Sequence, residues 1–572
     1  VRRHKHQVVR TCLFSVLFVT ACVGPSVGSE ADETGGEREA SSAFDPDPAT
    51  TGGKPEPDVE PGSTSFESGG TGSTGETNSV WRSTLYPTSW TPGFRDAEGR
   101  GFADFSYAGY RHGETPPSPA WPVLSLVDFG ADPRGATASD GAFAKALASA
   151  PSSGAILEFP AGRYRFDDRL IVDRSNLVIR GVGAEQTFLQ FTRTDGMDYG
   201  GHIEFAAVLD TTAEVLLAAD APRDTADILV ADTTGFSPGD DVLVGWTLSE
   251  AFIADYGMEE PWAPRAGEWK PFFRRTVVSV DEGRLVLDVP LRHDALTRDG
   301  ASVRKVEGYL AEVGLEALSL SNAVDPDAAW AQTQVAAVEL RHVKDAWVRD
   351  VQSYAAGPEG AHLQSKGISI VGSLRVSVLD SVMQDPQHRG EGGNGYLFEV
   401  SQSSEVLFAD LLARNGRHNF IQNWEFGTSG CVFLRCHSEG SVAYLQHGFP
   451  SPMPAYSEFH HSLAMANLID DCTLDDGWAA INRGQWSSGS GVSATESVFW
   501  NPSGAGRILS KQAGHGYVVA SEAMDVDTSL SAPHFFPQEM TAPQDFVERI
   551  PTESELEPQS LYEDQRARRL GR

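Results

Sequence analysis

Between residues 387 and 486 the chain gathers side chains that bind anions and move protons. They are Gln387-His388-Arg389, Arg417-His418-Asn419, Tyr456, His460-His461 and Asn482-Arg483, with Gln485-Trp486 close behind. Arg, Asn and protonated His can neutralise a carboxylate, which makes the neighbouring C–H more acidic. Neutral His or Tyr can then take that proton, or deliver one to a departing oxygen. That is the equipment of a β-elimination beside a carboxylate. The roles expected are Arg417 and Asn419 as carboxylate binders, His418 as base, and Tyr456 or His460 as the second proton-transfer group. His388, Arg389, His461, Asn482, Arg483, Gln485 and Trp486 are expected to hold the rest of the substrate.

Side chains so far apart in sequence share a site only if the fold brings them together, and the chain carries a repeat that would. Asp350, Asp380 and Asp410 recur at a constant step (380 − 350 = 410 − 380 = 30), inside similar β-branched or aromatic phrases such as Trp347-Val348-Arg349-Asp350-Val351. Helical periodicity is nearly absent there, and a fixed step of short strands means coils stacked about 4.8 Å apart. His388 and His418 each follow the marking Asp by one interval (388 − 380 = 418 − 410 = 8), so the two triplets are expected side by side on adjacent coils. The next coil carries an insertion over about 441–461.

The chain has 79 acidic against 45 basic residues and a net charge of -34. That balance excludes nucleic acid as a partner and gives no general attraction to a polyanion. The basic residues of 387–486 are then the local cleft that an acidic partner would need. At the N-terminus, Arg2, Arg3, Lys5 and Arg10 precede the apolar run Cys12–Ala21, and Val19-Thr20-Ala21-Cys22 resembles a bacterial lipobox with Cys22 as the lipidated residue. Residues 23–78 are rich in Gly, Ser, Thr, Glu and Pro, a solvated tether. Of the remaining thiols, Cys431, Cys436 and Cys472, the last two end corresponding strands and are expected as a stacked core pair or one disulfide; no zinc-type spacing occurs.

The stretch 127–191 contains VDFGAD, then SDGAFAKALASAPSSGAILEFPAGRYRF, then NLVIRGVGAEQTFL. It resembles the opening of the pectate lyase-like superfamily. The resemblance implies an all-β fold, a right-handed single-stranded parallel β-helix with an N-terminal capping helix, acting on a polysaccharide. It implies the fold more than the reaction, since the superfamily includes lyases, hydrolases, epimerases and non-enzymatic adhesins. The chain then divides into a signal segment 1–22, the tether 23–78, a strap 79–126, the cap and first coils 127–199, a small β-rich, barrel-like insertion 200–308, the main β-helix 309–520 and a tail 521–572. The tail ends in a helix expected to blunt the end of the solenoid. Trp246, Phe252, Tyr256, Trp262, Trp269, Phe272 and Phe273 of the insertion would serve either as a sugar-stacking wall or as its own core.

Other chemistries use other residues. Hydrolysis needs two carboxylates, for which Asp470-Asp471, Asp475-Asp476 and Glu458 are available; Gly514-His515-Gly516 matches part of the polygalacturonase pattern, but no Asn-Thr-Asp occurs. Calcium would need converging carboxylates such as the in-phase Asp380 and Asp410, and a transition metal could use His418, His460 and His461. A lipid-tethered solenoid that only binds glycans or builds the envelope is the non-enzymatic alternative. The expected function is an exported, lipid-anchored, monomeric lyase of an acidic polysaccharide, with no cofactor assigned and calcium the one ion left open.

Overall fold

Short runs of β-branched, aromatic and small residues alternate with polar corner residues, and the computed structural model stacks them in parallel. It describes residues 79–390, 392–444, 455–529 and 543–572. The expected signal segment with Cys22, the tether and residues 445–454 of the 441–461 insertion lie outside the described residues. Three faces form. Face one carries Ala155–Glu158, Leu177–Arg180, Val313–Ser321, Val343–Ser353, Leu374–Leu379, Leu407–Ala409, Val432–Leu434, Leu468–Asp470 and Val498–Trp500, each paired in parallel with its neighbour. Face two carries Val382–Gln384, Leu412–Arg414, His437–Glu439 and Thr473–Leu474. Face three is a ten-stranded sheet that includes Gly201–Ala206, Ala336–Arg341, Lys366–Val371, Tyr396–Ser401, His418–Gln422, Ser457–Phe459, Trp478–Ala480 and Arg507–Ser510. This is a parallel β-helix.

The marking aspartates occupy its corners. Asp350, Asp380 and Asp410 have φ of 53°, 49° and 58°, and the series continues through Arg435, Asp471 and Asn501 at 48°, 51° and 51°. Asp and Asn tolerate this left-handed region better than other side chains because their short polar groups bond locally. Arg435 is the exception, and its guanidinium bridges back to Asp410 at 2.7 and 3.0 Å. The sequence step breaks at the same point (435 − 410 = 25, 471 − 435 = 36, 501 − 471 = 30), because the loops between corners change length while the corners stay stacked.

Equivalent core residues stack at the coil rise: Phe408 on Phe433 at 4.8 Å and Phe398 on Phe420 at 5.3 Å, nearly parallel. Cys431, Cys436 and Cys472 are buried free thiols; the backbone N–H of Cys436 donates to Cys472 Sγ at 3.4 Å. The helix Asp140–Ser149 buries Ala142, Phe143 and Ala146 in the same core as Leu126 and Leu157.

The insertion is smaller than 200–308. Gly201–Ala206 pairs in parallel with Leu170–Val172 and Ala336–Arg341, so it is still face three. From Asp210 to Glu307 six antiparallel strands follow, and the Leu217–Val230 bridge joins the two edge strands into a closed barrel. Trp246, Phe252, Trp262, Phe272 and Phe273 fill that barrel, so they offer no sugar-stacking wall. The barrel seats on the solenoid through Phe426, Leu463, Met465 and Val492. Buried Glu405 accepts from Arg292 (2.7 Å) and lies 3.4 Å from Arg275.

The outer side of face one is covered by the strap and the terminal helix. Leu85, Tyr86, Phe102 and Phe105 of the strap pack with Leu561 and Tyr562 against Leu407, Leu434, Leu468 and Trp500. The helix Leu561–Arg569 thus lies along face one, not over the solenoid's end. Buried Asp470 accepts at its N-terminus from Ser560 Oγ (2.7 Å) and the N–H groups of Leu561 (3.1 Å) and Tyr562 (2.8 Å). Burial pushes its carboxyl up to about 7 against those bonds, and burial likewise lifts Asp545 to about 7. Both groups keep a proton in the folded state that the unfolded chain releases near its ordinary carboxyl range. The folded state therefore binds more protons between roughly pH 4 and 7, and stability falls as pH rises through that window. The expected outcome is a thermal midpoint several degrees lower at about pH 8 than at about pH 5, with the slope flattened in Asp470→Asn and Asp545→Asn.

Candidate functional site

Face one is covered and the barrel sits at the far corner of face three, so the polar outer surface of face three is where an extended ligand could lie. Val338, Ile368, Phe398, Phe420 and Phe459 point into the core, and the residues between them point away. One outward row runs in register through Glu339, Ser369, Glu399, Ile421, Glu458 and Ala479. Strand pairing therefore puts Glu399 and Glu458 two coils apart on the same line.

Each carboxylate is held by cations. Glu399 accepts from Lys366 Nζ at 2.7 Å, Asn423 Nδ2 at 2.8 Å and Ser369 Oγ at 2.9 Å. Burial works against its charge, but Lys366 overcomes it and holds Glu399 below the usual range. Glu458 is the centre of a denser group. Its Oε2 accepts from Arg483 Nη1 at 2.8 Å, its Oε1 accepts from His460 Nδ1, and His418 Nε2 stands 3.4 Å from the same oxygen. His418 Nδ1 donates to the Tyr456 carbonyl. Burial opposes charge on the group, and the permanent charge of Arg483 decides the outcome. Glu458 is held well below the ordinary carboxylate range, while burial lowers His418 to about 3 and His460 to about 4. At neutral pH the group is a carboxylate, a guanidinium and two neutral imidazoles. His460 gives its Nδ1–H to a carboxylate, which fixes its tautomer and leaves Nε2 as the basic nitrogen.

Beside it stand two arginines on neighbouring turns. Arg417 donates to the Gly390 carbonyl and to Tyr396 Oη (3.3 Å) and lies over the Tyr396 ring; Arg389 donates to the Asn415 carbonyl at 3.0 Å. They flank Gly395 so closely that a Cβ there would sit 3.0 Å from Arg389 Cγ and 3.1 Å from Arg417 Cβ. Neither has a carboxylate partner among the described residues, in a chain whose acids far outnumber its bases. Tyr396 is buried, and burial pushes its phenol up to about 12, so it is a protonated donor.

The other expected site residues fall differently. His418 pairs with Tyr396, not with His388. The corners stay in phase, with Asn415 Nδ2 donating to Asp385 at 2.7 Å. After the corner, the run to face three is eight residues longer in one coil than in the next ((396 − 385) − (418 − 415) = 8). His388 lies in that longer loop, its ring 4.3 Å from Trp330. Asn419 is sealed: Nδ2 donates to the Ala413 and Glu439 carbonyls and to Asp476, and Oδ1 accepts from Gly416 N. It has no capacity left for a substrate carboxylate. Tyr456 contributes its carbonyl, and its ring packs with Ala479, Ile481 and Leu509. His461 is tied by Nε2 to the Ser487 carbonyl and supports Trp424 at 4.5 Å. Asn482 accepts from Gly484 N and shapes the loop carrying Arg483, while Gln485 and Trp486 are exposed at its tip.

The hydrolase pairs have structural duties. Asp470 caps the terminal helix and Asp471 is a corner; Asp475 pairs with His437 at 2.9 Å, and Asp476 accepts from Asn419 and Ser441. Asp380 and Asp410 are corners, Asp410 closed by Arg435. Among the described residues two groups could hold a metal, each with ligand atoms within 4.8 Å of one another: buried His418, Glu458 and His460, where Glu458 takes the place expected for His461, and the more exposed His437, Glu439 and Asp475. Sequence reasoning left Tyr396, Lys366, Glu399 and Trp330 out of the site; only Glu458, two residues before His460 on one strand face, carried a readable signal.

No family model and no curated protein matches the chain. Among solved structures it is similar to the tailspike of Pseudomonas phage phi297 (14% identity, 70% of this chain and 70% of that one, TM-score 0.44). It is also similar to an exopolygalacturonase of Thermotoga maritima (11%, 72% and 76%, TM-score 0.31) and to a mannuronan C-5 epimerase module of Azotobacter vinelandii (11%, 76% and 99%, TM-score 0.30). The β-helix itself is shown by this chain's own parallel strand pairing.

The buried group makes a thermodynamic prediction. Glu458→Gln strands the Arg483 charge and should cost about 3 kcal/mol in denaturant unfolding. The double variant Glu458→Ala/Arg483→Ala should cost less than the sum of its single changes, because neither charge is then left alone.

Proposed function

We propose that the protein cleaves a uronate-containing polysaccharide by β-elimination beside the Arg389–Arg417 pair on the outer side of face three. The observation that carries this reading is the pair Arg389–Arg417, two cations with no carboxylate partner among the described residues, beside neutral, carboxylate-oriented His460. Arg417 is placed to neutralise the C6 carboxylate of the uronate being cleaved, which acidifies the C5 proton. His460 Nε2 takes that proton, and the resulting imidazolium is stabilised by Glu458 through Nδ1–H. The Tyr396 hydroxyl, already bonded to Arg417, is the donor that protonates the departing C4 oxygen. The C4–O bond breaks as the C4–C5 double bond forms, so no water is consumed. Asn419 and Tyr456 have no part in this step, and His418, its Nδ1–H given to the Tyr456 carbonyl, packs beside Glu458.

Hydrolysis finds less support. It needs one protonated carboxyl beside the scissile bond, and Glu399 and Glu458 are both held ionised. The carboxyls that burial does protonate, Asp470 and Asp545, accept hydrogen bonds from Ser560 and the terminal helix and from Ser510 and Gln512. Export, a lipid at Cys22 and a monomeric state belong to the same proposal and rest on the N-terminal sequence and the closed solenoid.

The full chain is incubated with polygalacturonate, alginate and other uronate polymers, with calcium and with chelator, and ultraviolet absorbance of the unsaturated product is followed. The expected result is a rise with one polymer, reduced at least about 100-fold in His460→Ala and in Arg417→Ala. New reducing ends without absorbance would assign hydrolysis instead.

A further inference from the structure

The long loop that follows the Asp385 corner, through Gly390, builds a feature that the elimination step leaves unused. It closes one side of a cleft of about 240 Å³ lined by Trp330, Arg389, Pro326, Pro358, Pro386 and Gln387. Trp330 sits in the last turn of the short helix Pro326–Ala331, whose N-terminus is capped by Asp325, and its indole is 46% exposed. An indole left in water is ordinarily mobile, but this one is fixed from beneath. The buried His388 ring lies 4.3 Å under it, with Nδ1 3.1 Å from the Gln332 carbonyl. Gly390 presses against its edge so closely that a Cβ would lie 2.6 Å from the ring. The Gly390 carbonyl in turn accepts from Arg417. One short segment thus carries His388, which supports the platform, Arg389, which lines the cleft, and Gly390, which links the platform to the arginine of the elimination site. Asp385, also on the cleft, has its carboxylate taken by Asn415 Nδ2 at 2.7 Å, and Glu359 stands exposed at the rim.

We propose that this cleft is a subsite for one uronate ring of the chain adjacent to the ring being cleaved, with Trp330 as the stacking platform and Arg389 as the carboxylate partner. The proposal rests on the elimination reading for its placement relative to the cleaved bond. Its own grounds are the exposed, immobilised indole and, beside it, a guanidinium with no carboxylate partner among the described residues. A pyranose presents an apolar C–H face that an aromatic ring can cover, while its equatorial carboxylate projects sideways toward a donor at the ring's edge. A neutral hexose would gain only the stacking, and a non-sugar anion only the charge. Both groups together select an acidic sugar. Seating the neighbouring ring here also draws the chain past Arg417, whose support is the same Gly390 carbonyl.

The test is calorimetric titration of oligosaccharides from polygalacturonate and from alginate, with an uncharged cello-oligosaccharide as comparison. A His460→Ala background keeps the chains intact. Trp330→Ala should weaken binding of the preferred uronate about tenfold, and Trp330→Phe, which keeps a ring, by about threefold or less. Arg389→Met should weaken binding of the acidic chain about tenfold and leave binding of the neutral one unchanged. In the active protein, Trp330→Ala should raise KM with kcat nearly unchanged. The proposal is overturned if Trp330→Ala binds as tightly as its parent, or if no uronate oligosaccharide binds. Trp330-dependent binding without any unsaturated product would keep the subsite and remove the elimination. Product formed with an unaltered KM by Trp330→Ala would keep the elimination and remove the subsite.

Discussion

The main coils depend on the left-handed corner that face one repeats from Asp350 to Asn501. Parallel strands of adjacent coils pair only if every coil turns at the same place, and the turn demands a positive φ that most side chains resist. Asp350, Asp380, Asp410, Asp471 and Asn501 supply it. A second corner, through Asp345, Arg375, Glu405, Gly430, Ala466 and Glu496, keeps the same steps. With corners fixed, the chain can lengthen or shorten between them without disturbing the ladder. Those length changes are where chemistry enters: the long loop 386–395 brings Trp330, Arg389 and Gly390 together, and the neighbouring coil, short after its corner, delivers His418 to the sheet directly after Arg417.

A solenoid exposes three faces, and the rest of the chain decides which of them remains open. The strap and the terminal helix cover face one with aromatic side chains, tied down by Asp470. The barrel takes the corner near Glu405 and also reaches toward the site, where Arg265 and Lys270 hold Glu425 next to Trp424. Trp424 is 48% exposed with a φ of 40°, unusual for so bulky a residue, and its conformation is braced by that ion pair and by His461. The barrel's own aromatics are spent on its core. Face three is left with its carboxylates internally neutralised and, among the described residues, two arginines without a carboxylate partner, which reverses locally the strong negative charge of the chain.

The repeat, the closed barrel, the strap and the group around His418, His460 and Arg483 were legible in the sequence, because each is written in strand periodicity, composition or residue type. Register was legible only as far as the corner. The equal spacing of His388 and His418 from their aspartates suggested equivalence, yet eight residues of loop after Asp385 carry His388 off the sheet. Spacing also could not tell a busy side chain from a free one. Asn419 and the Asp470-Asp471 pair have the right chemistry for a site, and only their partners, Asp476 and the terminal helix, reveal that they are occupied. Tyr396 was hidden for the opposite reason: a buried aromatic in a strand reads as core until the arginine on its hydroxyl is seen.

The central claim is that cleavage on face three proceeds by proton transfer between fixed groups without adding water. Cleavage of the preferred polymer in ¹⁸O-labelled water, followed by mass spectrometry of the fragments, tests it most directly. Elimination predicts fragments whose masses sum to that of the parent chain, with no ¹⁸O incorporated at the cut and an unsaturated ring at the new non-reducing end. One ¹⁸O per cut, with saturated ends, would contradict the account and require a protonated carboxyl that the geometry of Glu399 and Glu458 does not provide.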